Sequence, residues 1–156
     1  MKLQKLKGGL IFGLTILIMG CASAPVIEVE PFDTVATVEN DFDTTWSKLI
    51  RFASTNQIGI KTIEKASGLI IFENTSMSPN LILQYCTNIN VGMLAALDSG
   101  SASGNVTVVD EGGFSTVSAN MQFKATTKFC YEGCQYSTNI CDSLGKFETD
   151  LLDAVR

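Results

Sequence analysis

Between Val117 and Ala125 the chain alternates without a break. Val117, Ala119, Met121, Phe123 and Ala125 are apolar, and Ser118, Asn120, Gln122 and Lys124 lie between them. Successive side chains on a strand point to opposite faces, so this run offers one face to a core and one to water. A parallel sheet, buried on both sides, would need a continuous apolar run. An alternating one belongs to an antiparallel sheet covered on one side. The remaining elements must supply that cover.

Two segments have the spacing to do so. Phe42, Trp46, Leu49, Ile50 and Ala53 fall on one helical face, with Lys48 and Arg51 opposite. Asp43 is placed to cap that helix, and Asn56-Gln57 to end it. Trp46, the only tryptophan, reads as core. Near the other end of the chain, Leu144, Phe147, Leu151, Leu152 and Val155 form a second apolar stripe, with Asp142 or Ser143 as its cap. Strands are expected at Thr34 to Glu39, Ile58 to Lys65, Leu69 to Glu73, Leu81 to Cys86 and Val106 to Val109. Ala66-Ser67-Gly68 and Asp110 to Gly113 supply turns. For Asn88 to Gly104 two readings stand. The Ser/Gly tract Ser99 to Gly104 suggests a mobile loop in which Met93, Leu94 and Leu97 form a contact surface. Alternatively, Met93 to Leu97 is a short helix packed on the core. The simplest burial is α+β: an antiparallel sheet with two helices on one face.

The start of the chain sets the redox context. Lys2, Lys5 and Lys7 precede an uncharged apolar run to Gly20, which is shorter than the ~20 residues a membrane-spanning helix needs. A basic head, a short apolar stretch and a small residue at the cut form a secretory signal. Ile18-Met19-Gly20-Cys21 makes it a lipoprotein signal, with Cys21 acylated as the new N-terminus. Ala22 is not the Asp that retains such proteins at the inner membrane, so the expected address is the periplasmic face of the outer membrane of a Gram-negative cell. The organisation is then a leader over 1–20, a lipidated spacer over 21–31 and one domain over 32–156. Two or more acyl chains hold a protein stably at a membrane, where one is marginal.

In an oxidising compartment the other four cysteines, Cys86, Cys130, Cys134 and Cys141, suggest disulfides. Three pairings are open, as are free thiols or a four-cysteine metal site. Tyr131-Glu132-Gly133 has the length of a hairpin loop ending in a left-handed glycine. That loop favours Cys130 with Cys134, and hence Cys86 with Cys141 across the domain.

Composition removes several functions. There is no histidine, so imidazole acid–base chemistry, histidine-activated nucleophiles and imidazole-bound zinc are all absent. Loss of the leader leaves eight basic and sixteen acidic residues, an acidic balance that argues against binding nucleic acid. Asp110-Glu111 is the one adjacent acidic pair in the domain, and it sits in an expected turn. No catalytic residue, cofactor site or metal site is read from the sequence.

Trp46-x-x-Leu49-Ile50, followed by Ile58-x-Ile60-Lys61-x-Ile63-x-Lys65-x-Ser67-Gly68-Leu69-Ile70, resembles the helix–hairpin opening of BamC-type domains. These belong to outer-membrane lipoproteins of the β-barrel assembly machinery and related small lipoproteins. Cys141-x-Ser143-x-Gly145-x-x-Glu148 is similar to the opening of the last helix in some of them. The resemblance implies a helix-grip fold, in which a curved antiparallel sheet grips the C-terminal helix. It also implies a non-catalytic envelope module that contacts another envelope protein and is accessory to an assembly or secretion complex. The alternative is a carrier of a small apolar or amphipathic ligand between sheet and last helix. Against that alternative, Trp46, Phe123 and Phe147 are expected to fill the space.

Overall fold

The structure, a computed structural model, describes residues 27–89, 91–92 and 94–156. Cys21 and Met93 therefore lie outside the described residues. The fold is α+β and mostly sheet. In chain order it runs β1 (Val35–Val38), α1 (Phe42–Thr55), β2 (Ile60–Glu64), β3 (Leu69–Met77), α2 (Pro79–Tyr85), β4 (Cys86–Thr87), β5 (Ala95–Asp110), β6 (Ser115–Cys130), β7 (Cys134–Ser143) and α3 (Lys146–Val155). A single 3-10 turn over Lys65–Ser67 joins β2 to β3.

The seven strands form one antiparallel sheet, six of them in the order β2-β3-β5-β6-β7-β4 and β1 off this path beside β6. Strand β6 is its spine. Along one edge it pairs with β5 from Ser115 to Phe129. Its other edge is shared: β1 takes Ser115 to Ser118, and β7 takes Phe123 to Cys130. The alternation is realised as expected. Val117, Ala119, Phe123 and Ala125 are buried, and the polar residues between them face out.

The expected first helix forms, but its cap is Asp41. The Asp41 carboxylate accepts the Thr44 N–H at 2.7 Å, which holds the Asp41 carboxyl below its ordinary pKa. Asp43, the expected cap, lies within the first turn and pairs with Lys65 at 2.8 Å. Trp46, Leu49 and Ala53 are buried as the spacing requires, and Trp46 stacks on Phe42 at 5.7 Å between ring centroids. The last helix starts later than expected. β7 continues through Ser143, Gly145 in a left-handed conformation precedes the helix, and half-exposed Leu144 is no part of its apolar stripe. Neither Asp142 nor Ser143 is its N-cap. Asn40 and Lys48 donate to the carbonyls of Val155 and Arg156, tying the end of α3 to the start of α1.

Two further expectations fail. Leu81 to Cys86, read as a strand, is mostly α2. Ser78 caps it by accepting the Leu81 N–H, and Pro79 occupies the first helical turn, where a missing N–H costs nothing. There are thus three helices among the described residues, not two. Asn88 to Gly104, read as a loop or a short helix, instead holds the first ten residues of the 16-residue strand β5. The Ser/Gly tract is paired on both sides, to Thr75–Met77 and Phe72 of β3 and to β6.

The core has two parts. Ile70, Phe72, Val106, Val108, Val117 and Ala119 from the sheet pack against residues of α1 and α3. Met77, Phe123 and Ala125 pack against Ile82 of α2 and the Cys86–Cys141 pair. Met121 and Phe147 touch both parts.

Candidate functional site

The inner face of β5 reads Gly100, Ala102 and Gly104 where it crosses between the two core parts, opposite Ala125, Phe123 and Met121 of β6. Small side chains there lower the floor. Over Gly100 the room is taken by α2: a Cβ on this glycine would stand 2.6 Å from Ile82 Cγ1. Over Ala102 it is left open. A cavity of about 400 Å³ lies there, between the sheet and all three helices.

Its walls follow from the elements that frame it. α1 contributes Phe52, α3 contributes Phe147, α2 contributes Leu81 and Tyr85, and the sheet contributes Phe72, Met77, Met121 and Phe123. The rings are fixed against one another. Phe147 meets Phe52 and Phe72 edge-on at 5.8 and 6.1 Å, and Tyr85 stacks on Phe123 at 5.8 Å. Asn56, Gln57, Glu73 and Asp150 also line the cavity and are exposed, so they form its mouth. A register irregularity in β3 between Phe72 and Thr75 turns Glu73 out of the ladder with β5, while its N–H stays bonded to Gly59 O at 2.8 Å. Lys146 pairs with Asp150 at 2.6 Å. Phe123 and Phe147, expected to fill the space between sheet and last helix, instead wall an open one.

Leu97 is on β5 and packs on the second core part, while Leu94 is exposed. Asp110 and Glu111 sit in the β5–β6 turn, where Asp110 accepts the Gly112 N–H at 3.0 Å. The four cysteines form the two expected bridges. Cys86–Cys141 spans 5.8 Å between Cα atoms, and Cys130 faces Cys134 across the β6–β7 hairpin. In that hairpin the left-handed residue is Glu132 and not the expected Gly133. Cys86 joins the end of α2 to β7, not an apolar strand to the start of the last helix. A ligand space between sheet and last helix was the alternative reading, with Phe123 and Phe147 expected to fill it; what the sequence did not single out is Ala102, over which the space is open. The one signal for that opening is the spacing Gly100-x-Ala102-x-Gly104, which has strand period and so marks a thin place on one face of a sheet.

Among the described residues no helix is long and apolar enough to cross a membrane. No protein-family model matches this chain, and no curated protein does.

Proposed function

We propose that this chain is a lipid-anchored, non-catalytic binding module of the bacterial envelope. Cys21 carries the acyl chains, the links from Cys21 to Ile27 are the tether, because Asn88 holds Ile27 to the domain, and the domain stands on the periplasmic face of the outer membrane. The arrangement is helix-grip-like, with a curved sheet closing on α3 as in BamC-type domains. The cavity between sheet and α3 carries the binding function. Its volume of about 400 Å³ lies within the ~300–1,000 Å³ of typical small-molecule sites, which are largely apolar with a few polar groups. The ligand that fits is a small amphiphile with its apolar body against Met121 and Phe123. Glu73 and Asp150 stand at the mouth, and the nearby Lys146 is already engaged with Asp150. A neutral or cationic head is therefore favoured over a carboxylate.

The test uses the neutral fluorophore N-phenyl-1-naphthylamine on the full mature chain. Saturable binding is expected, with displacement by a long-chain amine ahead of the matching fatty acid. Ala102→Phe raises the floor under the cavity and should abolish the signal without unfolding the protein. Binding that survives in a folded Ala102→Phe variant places the probe elsewhere and ends the proposal.

A protein partner is the second reading, favoured by the sheet's edge. β4 covers β7 only at Asp142 and Ser143, so the outer edge over 134–140 has no strand beside it among the described residues. Unpaired backbone groups of this kind accept an added strand. Such a partner would belong to an envelope assembly or secretion complex. Photo-crosslinking from Ser137 in intact envelopes should capture one protein; no adduct there removes this reading.

A further inference from the structure

The chain enters the domain through a specific tie. Asn88 is in a left-handed conformation, which asparagine tolerates better than most residues. Its side chain accepts the Ile27 N–H at 3.0 Å and donates to Ile27 O at 3.0 Å and to Asp142 Oδ2 at 2.7 Å. Asn88 thus holds Ile27 against the β4–β7 edge of the sheet. Only six peptide links separate Ile27 from Cys21, a reach of at most about 20 Å.

From Asp142 the β6–β7 hairpin runs on through eight more residues to Cys134, about 27 Å at strand rise. The hairpin is thus longer than the tether. At its tip Tyr131 is 74% exposed, and the Ala95–Phe129 pairing sets Leu94, 77% exposed, beside it. Tyr136, on the same hairpin opposite Lys128, is exposed too. Lys124 and Lys128 lie on the outer face of this hairpin, with Lys128 over the Tyr136 ring at 5.5 Å. The acids nearby are Glu132 and Asp98. At the opposite end of the sheet, exposed Phe114 shares its turn with Asp110 and Glu111.

From these features we infer that the β6–β7 tip, with Tyr131 and Leu94, rests in the headgroup region of the phospholipid surface that holds the acyl chains. This rests on acylation of Cys21. The short tether keeps Ile27 near the membrane, and a tip that outreaches the tether meets lipid when it points that way. Tyrosine, with an apolar ring and a polar tip, suits a membrane–water boundary. Lysines beside it meet lipid phosphates, whereas the acidic turn at the other end would be repelled. The cavity mouth is then held at a fixed height above the bilayer.

The experiment uses the full mature chain, purified from cells and reconstituted in vesicles of phosphatidylethanolamine and phosphatidylglycerol. Tyr131→Trp and Phe114→Trp are each compared with the parent, whose Trp46 is buried and supplies a constant background. With lipids brominated near the headgroup, Tyr131→Trp should show a blue-shifted emission and lose most of its added fluorescence. Phe114→Trp should keep its own. Flotation with the vesicles reads the anchor separately. A chain that floats with Tyr131→Trp unquenched, or with Phe114→Trp quenched more, overturns the orientation and leaves the anchor standing. Unquenched emission with crosslinks from the tip to a protein or to a second copy overturns it in favour of that occupant. A chain that does not float overturns both.

Discussion

Glu148 is one acid of sixteen, yet it is 2% exposed. Its neighbours explain how it is tolerated. Ser143 Oγ accepts the Gly145 N–H at 3.1 Å and donates to the Glu148 carboxylate at 3.1 Å. An orphan N–H at the start of α3 is thereby linked through a hydroxyl to a carboxylate in the first turn, a relayed form of the capping box. Burial pushes the Glu148 carboxyl above its ordinary pKa, and hydrogen bonds from its own backbone N–H and from Ser143 oppose that shift without cancelling it. The folded state therefore holds this proton more tightly than the unfolded chain does. The stability gained this way is present below the ordinary glutamate pKa and is lost as pH rises through the raised one. Glu148→Gln keeps the shape and removes the charge. It should leave urea midpoints unchanged at the acid end and raise them toward neutral pH, flattening the profile. A variant less stable than the parent at neutral pH would show that the carboxylate is wanted in its charged form. Ser143 was expected as a helix cap, and it does receive an N–H, but from Gly145, the residue just before the helix.

At the scale of elements, the sequence spoke clearly where one periodicity acted alone. β6 and the buried stripes of α1 and α3 could be read because each covers or is covered by a single apolar face. α2 and β5 could not, and for one shared reason. Leu81-Ile82-Leu83-Gln84-Tyr85 is too short a run to separate strand from helix period; only Ser78-Pro79 ahead of it carries the helix signal. Ser99 to Gly104 looks like a linker because intrinsic propensity assigns glycine and serine to loops. Here Gly100 gives up its side chain so that Ile82, fully buried, can lie on the sheet. Each segment makes sense only beside the other, and a reading along the chain does not bring them together. Two outcomes follow. Amide exchange across Ser99 to Gly104 should be slow, because these residues are laddered to both β3 and β6; fast exchange would return the segment to a loop. Gly100→Val should push α2 off the sheet and cost about 1–3 kcal/mol as overpacking. Ser101→Val, on the outer face of the same strand, should cost little. Equal effects at the two positions would mean that α2 does not rest on Gly100.

On the scale of the whole molecule the question is what keeps the cavity open when collapse would bury more apolar surface. The answer lies in how α2 is held. It has seven residues, too few to be stable alone, and it provides two cavity walls, Leu81 and Tyr85. One end is fixed by Ser78 and Pro79. The other is fixed by the Cys86–Cys141 bridge and by the Leu144 N–H donated to Tyr85 O at 2.9 Å. The two bridges therefore do different work. Cys86–Cys141 closes a loop with a sequence separation of 55, and loop-closure entropy gives it about 4 kcal/mol. Cys130–Cys134, with a separation of 4, is worth about half that on the same scale. Replacing Cys86 and Cys141 together by alanine should lower the denaturation midpoint by roughly twice as much as replacing Cys130 and Cys134. It should also weaken N-phenyl-1-naphthylamine binding under conditions where the domain is still folded, because α2 frays before the sheet does. Removing the hairpin bridge should leave probe binding as it was, since no cavity residue lies beyond Phe123 on β6 or anywhere on β7. Equal loss of probe binding in both variants would mean that the cavity is set by overall stability. Unchanged binding in the Cys86/Cys141 variant would mean that the walls stand without the bridge.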